Sequence, residues 1–196
     1  VRKFNSHKRH YTSDQKGFDA FYNDLDERGK VGECLLKGDL KGPLNNEPRK
    51  GRHVDDASTD WIVLDFDKVL IPAKKATSFT QTVAWCVESL PPAFHKASYV
   101  AQASSSYGLD GDFSRASFHL FFFLATPLYP LQVTDLLVVL NQSQPFEGMI
   151  GLTGSKLALS YPIDICTGQA SRLIYIAPPT FEPGAEDRDG FVETMQ

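Results

Sequence analysis

Three short stretches of the chain carry residue types that could do chemistry together. The first is WIVLDFD, residues 61–67, an apolar run that ends in two carboxylates. Period-two alternation puts Asp65 and Asp67 on one face of a strand and Phe66 on the other. Two carboxylates whose origins lie about 7 Å apart can lean toward a shared divalent cation, and hard oxygen donors suit Mg²⁺ or Mn²⁺. Uncompensated charges are costly on an apolar strand. The plainer alternative is a strand end whose aspartates cap the next turn. The second stretch is ASFHLFFFL, residues 116–124. Ser117 and His119 share a face with Arg115, while Phe118, Leu120 and Phe122 line the opposite one. A hydroxyl, an imidazole and a guanidinium on one sheet surface make an anion cradle suited to a triphosphate. A histidine in an aromatic strand is also often a satisfied core or surface residue. The third stretch, PIDICTGQASRLIYI, residues 162–176, ends an apolar run at Asp164 and begins another at Arg172. Acid and base can meet across that hairpin, whether for chemistry or as a salt bridge.

The elements that must position these residues follow from periodicity. Phe18, Phe21, Tyr22 and Leu25 are spaced by three and four behind an Asp-rich start, which predicts an amphipathic helix from Ser13 with Gly29 as its stop. Residues 37–60, rich in Gly, Pro, Asn and Lys/Arg, predict a short hairpin or extended loop. Residues 61–67 read as a buried central strand. A Ser78-x-x-Gln81 capping box and Phe79, Val83, Val87 and Leu90 on one face predict a second helix over 77–90, ended by Pro91-Pro92. Strands over 98–105 and 116–124 form a hairpin through the Gly108–Gly111 turn region. Pro130 opens a third helix carrying Leu131, Leu136, Leu137 and Leu140. A strand near 157–165, a turn at Gly168, a strand over 172–176 and an acidic tail complete the chain.

A chain of 196 residues, 42% hydrophobic and 22% charged, has globular values that exclude wholesale disorder, collagen-like repeats and coiled coil. The longest apolar runs, near residues 118–124 and 136–140, fall far short of the roughly 20 residues a membrane span needs, so no membrane partner is expected. Cys34, Cys86 and Cys166 are far apart with no CxxC pair, which argues against a structural zinc site or disulfide framework and suits a cytoplasmic location. The chain begins with Val, and neither end reads as a completed terminus, as expected for a domain excised from a longer polypeptide. Its net charge of -4 is uneven. Residues 1–53 hold twelve Lys/Arg against eight Asp/Glu, and the remainder is strongly acidic. The basic cluster at Arg49, Lys50 and Arg52 could meet the phosphates of a nucleic acid, or lie solvated beside the loop.

In this order and spacing, a hydrophobic strand ending in DxD (Asp65, Asp67), a strand carrying SxH (Ser117, His119) and a single acid (Asp164) before an arginine-led strand (Arg172) resemble the archaeo-eukaryotic primase superfamily. The likeness is greatest to primase-polymerase-like proteins of phages, plasmids and other mobile elements, and covers roughly residues 30–182. It implies an α+β fold: an archaeo-eukaryotic primase-like catalytic core with a small α/β unit packed on an RRM-like unit and the active site in the cleft between them. The whole chain, 1–196, would be one catalytic domain with an N-terminal α/β lobe over about 1–95, an RRM-like lobe over about 96–182 and an acidic tail over 183–196. The resemblance further implies DNA-templated addition of nucleotides to a 3′-hydroxyl in replication of a mobile element. Asp65, Asp67 and Asp164 would hold two divalent ions, Mg²⁺ or Mn²⁺, in a two-metal displacement. Ser117 and His119 would contact the phosphates of the incoming nucleoside triphosphate, and Arg172 would neutralise phosphate charge or orient Asp164. DNA template and primer are the implied partners, with Arg49, Lys50 and Arg52 on the DNA, and a fused or separate helicase fits the mobile-element relatives. Two rivals compete with this reading. One is a haloacid-dehalogenase-like phosphatase using Asp65 as nucleophile and Asp67 as acid/base; the other is a noncatalytic DNA-binding replication module whose acids are structural.

Overall fold

The structure, a computed structural model, describes residues 2–104, 107–108 and 111–178 and the backbone of 192–195. Along the chain run α1 (Gln15–Lys30), β1 (Cys34–Leu36), β2 (Asp39–Leu40), β3 (His53–Val54), β4 (Thr59–Leu70), α2 (Phe79–Glu88), β5 (Tyr99–Ala103), β6 (Arg115–Leu128), α3 (Pro130–Asn141), β7 (Gly151–Leu152), β8 (Leu159–Ser160), β9 (Leu173–Tyr175) and β10 (Val192–Met195). The fold is mixed α+β. Its main sheet has the order β10-β5-β6-β4, with every neighbouring pair antiparallel. It takes β4 from before residue 95 and β5 and β6 from after it. Among the described residues no helix is long and apolar enough to cross a membrane.

β4 is apolar on both parities because both faces of the sheet are covered. Ile62, Leu64 and Phe66 pack with Val83, Cys86 and Val87 of α2 and with Val133, Leu137 and Leu140 of α3. Val63, with Val100 of β5 and Phe121 of β6, instead meets Phe18, Phe21 and Leu25 of α1 and Ile174 of β9. The helix starts follow their caps. Asp14 accepts the Gly17 N–H at the head of α1, Ser78 accepts the Gln81 N–H at the head of α2, and Pro130 fills the first position of α3, where its missing N–H costs nothing.

Several sequence expectations change in detail. Gly29 does not stop α1, which runs one residue further. The reason for glycine there is close approach: a Cβ would lie 2.3 Å from the Ile176 carbonyl oxygen. Leu131 of α3 is 71% exposed, so it lies outside the buried face formed by Leu137 and Leu140. No single strand spans 157–165. β7 and β8 form a small hairpin, Ile163 makes an isolated bridge to Phe66, and a 3-10 turn follows over Ile165–Gly168. Pro162 lacks the N–H that a continuing ladder would require. Arg172 precedes β9, which pairs with β1 and makes no hairpin with the Asp164 segment. The acidic tail lies mostly outside the described residues, although β10 near its end pairs with β5. Residues 105, 106, 109 and 110 of the predicted hairpin also lie outside them.

Lys37, just after β1, is buried at 2% exposure. Its Nζ donates to Thr59 Oγ1 at 2.6 Å and to the Trp61 carbonyl at 2.9 Å, and lies 4.6 Å from the Trp61 ring centroid. Burial pushes its pKa down to about 8, with the Asp60 charge opposing. From about pH 8 to the ordinary lysine value of 10.5, the unfolded chain therefore binds a proton that the folded chain does not. Stability contributed by this group rises with pH across that window. Relative to Lys37→Met, the wild type should gain stability in urea unfolding between those limits, each unit of pKa separation being worth about 1.4 kcal/mol. A difference between the two proteins that stays flat with pH would contradict this account.

Candidate functional site

The face of the sheet under α1 changes character in three steps. Strand register makes Val100, Phe121 and Val63 one apolar row across β5, β6 and β4. Two residues further along each strand, the next row is Gln102, His119 and Asp65. Beyond it, the Ser104 N–H donates to the Ser117 carbonyl, beginning a third row that ends near Asp67. The apolar row is closed over by α1, whereas the polar row opens into a cleft of about 490 Å³. Gln102, Ser104, His119 and Asp65 line its sheet side, and Arg49, Gln169 and Arg172 come from the segments opposite.

Asp65 is the centre of the arrangement. Its Oδ1 lies 3.5 Å from His119 Nε2, with side-chain exposures of 26% and 14%. On its other side the Asp164 N–H donates to the Asp65 carbonyl at 2.9 Å. The antiparallel bridge between Phe66 and Ile163 extends by one residue to put Asp164 directly across from Asp65. A single row thus runs Gln102, His119, Asp65, Asp164. The bridging segment is held from behind by Asn141 of α3. Its Nδ2 donates to the Ile163 carbonyl at 2.8 Å and its Oδ1 accepts the Ile163 N–H at 3.0 Å.

Asp67 lies at a β-bulge. The register slips between Phe66 and Val69, and Lys68 adopts φ 55°, so Asp67 and Lys68 together oppose Ser117. Ser117 Oγ accepts the Lys68 N–H at 3.1 Å. The hydroxyl expected to face phosphates thus supports the turn of backbone that exposes Asp67. Asp164 carries two bonds of its own: Oδ1 accepts the Cys166 N–H and Oδ2 accepts from Arg172, each at 2.8 Å. Acid and base meet, as an ion pair. Arg115 is exposed at the start of β6.

The basic loop divides. Arg49 reaches the cleft, donating to the Ser171 carbonyl at 2.7 Å and facing His53 Nε2 at 3.1 Å. Lys50 is exposed, and Arg52 is ion-paired with Glu47.

Asp65 and Asp67 are chemically suited to a hard divalent cation, since both carboxylates are reachable from solvent and, among the described residues, neither is paired with an arginine or lysine. Among the described residues, no group of three His, Cys, Asp or Glu side chains is assembled around one point. Mg²⁺ commonly takes one or two carboxylates and completes its shell with water and substrate phosphates, so it does not require such a group. Asp164 could join only by sharing its carboxylate with Arg172.

No family model, curated protein or solved structure matches this chain. Its function therefore rests on the site itself. Sequence reasoning did not single out Gln102 or Asn141. The available signal was a polar residue inside the otherwise apolar strand YVAQA, and another at the end of an apolar helix.

Proposed function

We propose that the chain is a nucleotidyltransferase of primase-polymerase type, adding nucleotides to a 3′-hydroxyl on a DNA template. The observation that carries this reading is the pairing of Asp65 with His119 across β4 and β6, with Asp164 on the other side of Asp65. It gives the DxD and SxH stretches one shared location beside a cleft with arginines opposite. The phosphatase alternative uses the aspartates and leaves His119 without a task.

In this reading Asp65 and Asp67 hold divalent cations, which when bound supply neutralisation of phosphate charge and acidify the attacking hydroxyl. His119, at the cleft wall, donates to a phosphate oxygen. Arg49 and Arg172 lie across the cleft and attract the polyphosphate, Arg172 while it orients Asp164. Exposed Lys50 is free to meet the DNA backbone. Ser117 fixes the bulge that presents Asp67. The ion pair between Asp164 and Arg172 also favours a second reading, a noncatalytic DNA-binding module in which these acids are structural.

A pair of titrations separates the two. Loss of a charge-assisted hydrogen bond in His119→Ala should weaken nucleoside triphosphate binding roughly tenfold or more, with DNA affinity held within about twofold. Equal losses for both ligands would point to damaged folding and count against a phosphate role for His119. A wild-type chain that binds DNA and no triphosphate would favour the binding module.

A further inference from the structure

The sheet wall of the cleft contains polar atoms that the fold leaves without a partner. Among the described residues, Gln102 Oε1, Ser104 Oγ and His119 Nδ1 are buried and make no hydrogen bond, and all three residues line the cleft. Gln102 is the most informative because it is only 4% exposed and its orientation is determined. Its Nε2 donates to the Ile176 carbonyl at 2.8 Å. A carbonyl can only accept, so the amide nitrogen must be the end that faces Ile176. Gly29 of α1, by lacking a Cβ, leaves room for that carbonyl. The other end of the amide is thus a fixed acceptor with no donor among the described residues, a costly arrangement that a ligand would relieve.

An acceptor alone recognises a hydroxyl or an N–H and repels a phosphate oxygen. Gln102 is the register partner of His119, one strand spacing or about 4.8 Å away. If His119 holds phosphate, as in the nucleotide reading on which this inference rests, the neutral donor nearest the phosphates of a nucleoside triphosphate is its sugar. We infer that Gln102 is a sugar-specificity residue: its Oε1 accepts a hydrogen bond from a ribose hydroxyl of the bound nucleoside triphosphate. Ser104, two residues along the same face, extends that polar wall.

Calorimetric titration of the wild-type chain with ATP, 2′,3′-dideoxy-ATP and inorganic triphosphate, each with Mg²⁺, tests the inference from the ligand side. ATP should bind roughly threefold to tenfold more tightly than the dideoxy analogue, as expected for one neutral hydrogen bond. In Gln102→Met that preference should vanish while inorganic triphosphate binds as before. Equal wild-type affinity for ATP and its dideoxy analogue overturns the sugar role and leaves the nucleotide reading intact, and it needs no variant to fold. A uniform loss for all three ligands in Gln102→Met also overturns it, as a packing effect. Failure of every triphosphate to bind the wild type overturns the nucleotide reading itself.

Discussion

Asp65→Asn should reduce nucleotide incorporation by at least about 10³-fold, equivalent to roughly 4 kcal/mol of lost transition-state stabilisation. The substitution keeps the shape of the side chain and removes its charge. Asp65 lies between His119 and Asp164, and its carboxylate is partly open to the cleft. Its backbone carbonyl, which accepts the Asp164 N–H, is untouched. The expected phenotype is therefore a chain that unfolds near the wild-type temperature and no longer extends a primer. Asp67→Asn should behave alike, because the exposed end of the bulge has no packing duty. Single-turnover extension rates together with thermal unfolding check both. A variant that is folded and as active as the wild type would remove Asp65 from the chemistry.

The second large effect is on stability and starts behind the site. Asn141→Leu should destabilise the domain by about 2–4 kcal/mol, because it leaves the Ile163 N–H and carbonyl unpaired, at about 1–3 kcal/mol for each buried group. Asn141 and Ile163 are both fully buried, so water cannot replace the lost bonds. Loosening Ile163 also frees the backbone that aligns Asp164 with Asp65, and Phe66, packed 5.0 Å from Phe118 and 5.9 Å from Phe146 between ring centroids, would lose a neighbouring anchor. Equilibrium urea unfolding measures the change. A loss under about 0.5 kcal/mol would mean that the Ile163 groups find other partners.

Local patterning made much of the scaffold legible. Apolar residues on both parities of 61–67 announced a strand covered on both faces, and Ser78 and Pro130 marked helix starts that the structure keeps. What the sequence concealed depends on register and on long-range contacts. Nothing local to residues 61–67 or 116–124 dictates that Asp65 should oppose His119, since a shift of one residue would send every side chain to the other face. The bulge at Asp67 and Lys68 is a tertiary feature, and it gives Ser117 a backbone partner that its position in a strand could not suggest. Gln102 escaped notice because a polar residue in a strand reads as solvent-facing until its neighbours are known. The segment after Ser155 misled for a different reason: its apolar residues resemble a strand, while Pro162 and the Asp164-capped turn limit it to a single bridge against β4.

The most direct test of the account is extension of a labelled DNA primer on a template by the purified chain, with and without Mg²⁺ or Mn²⁺. The account predicts metal-dependent addition of nucleotides that follows the template and disappears in Asp65→Asn. A folded wild-type chain that binds primer-template and triphosphate and adds no nucleotide with either metal would contradict it.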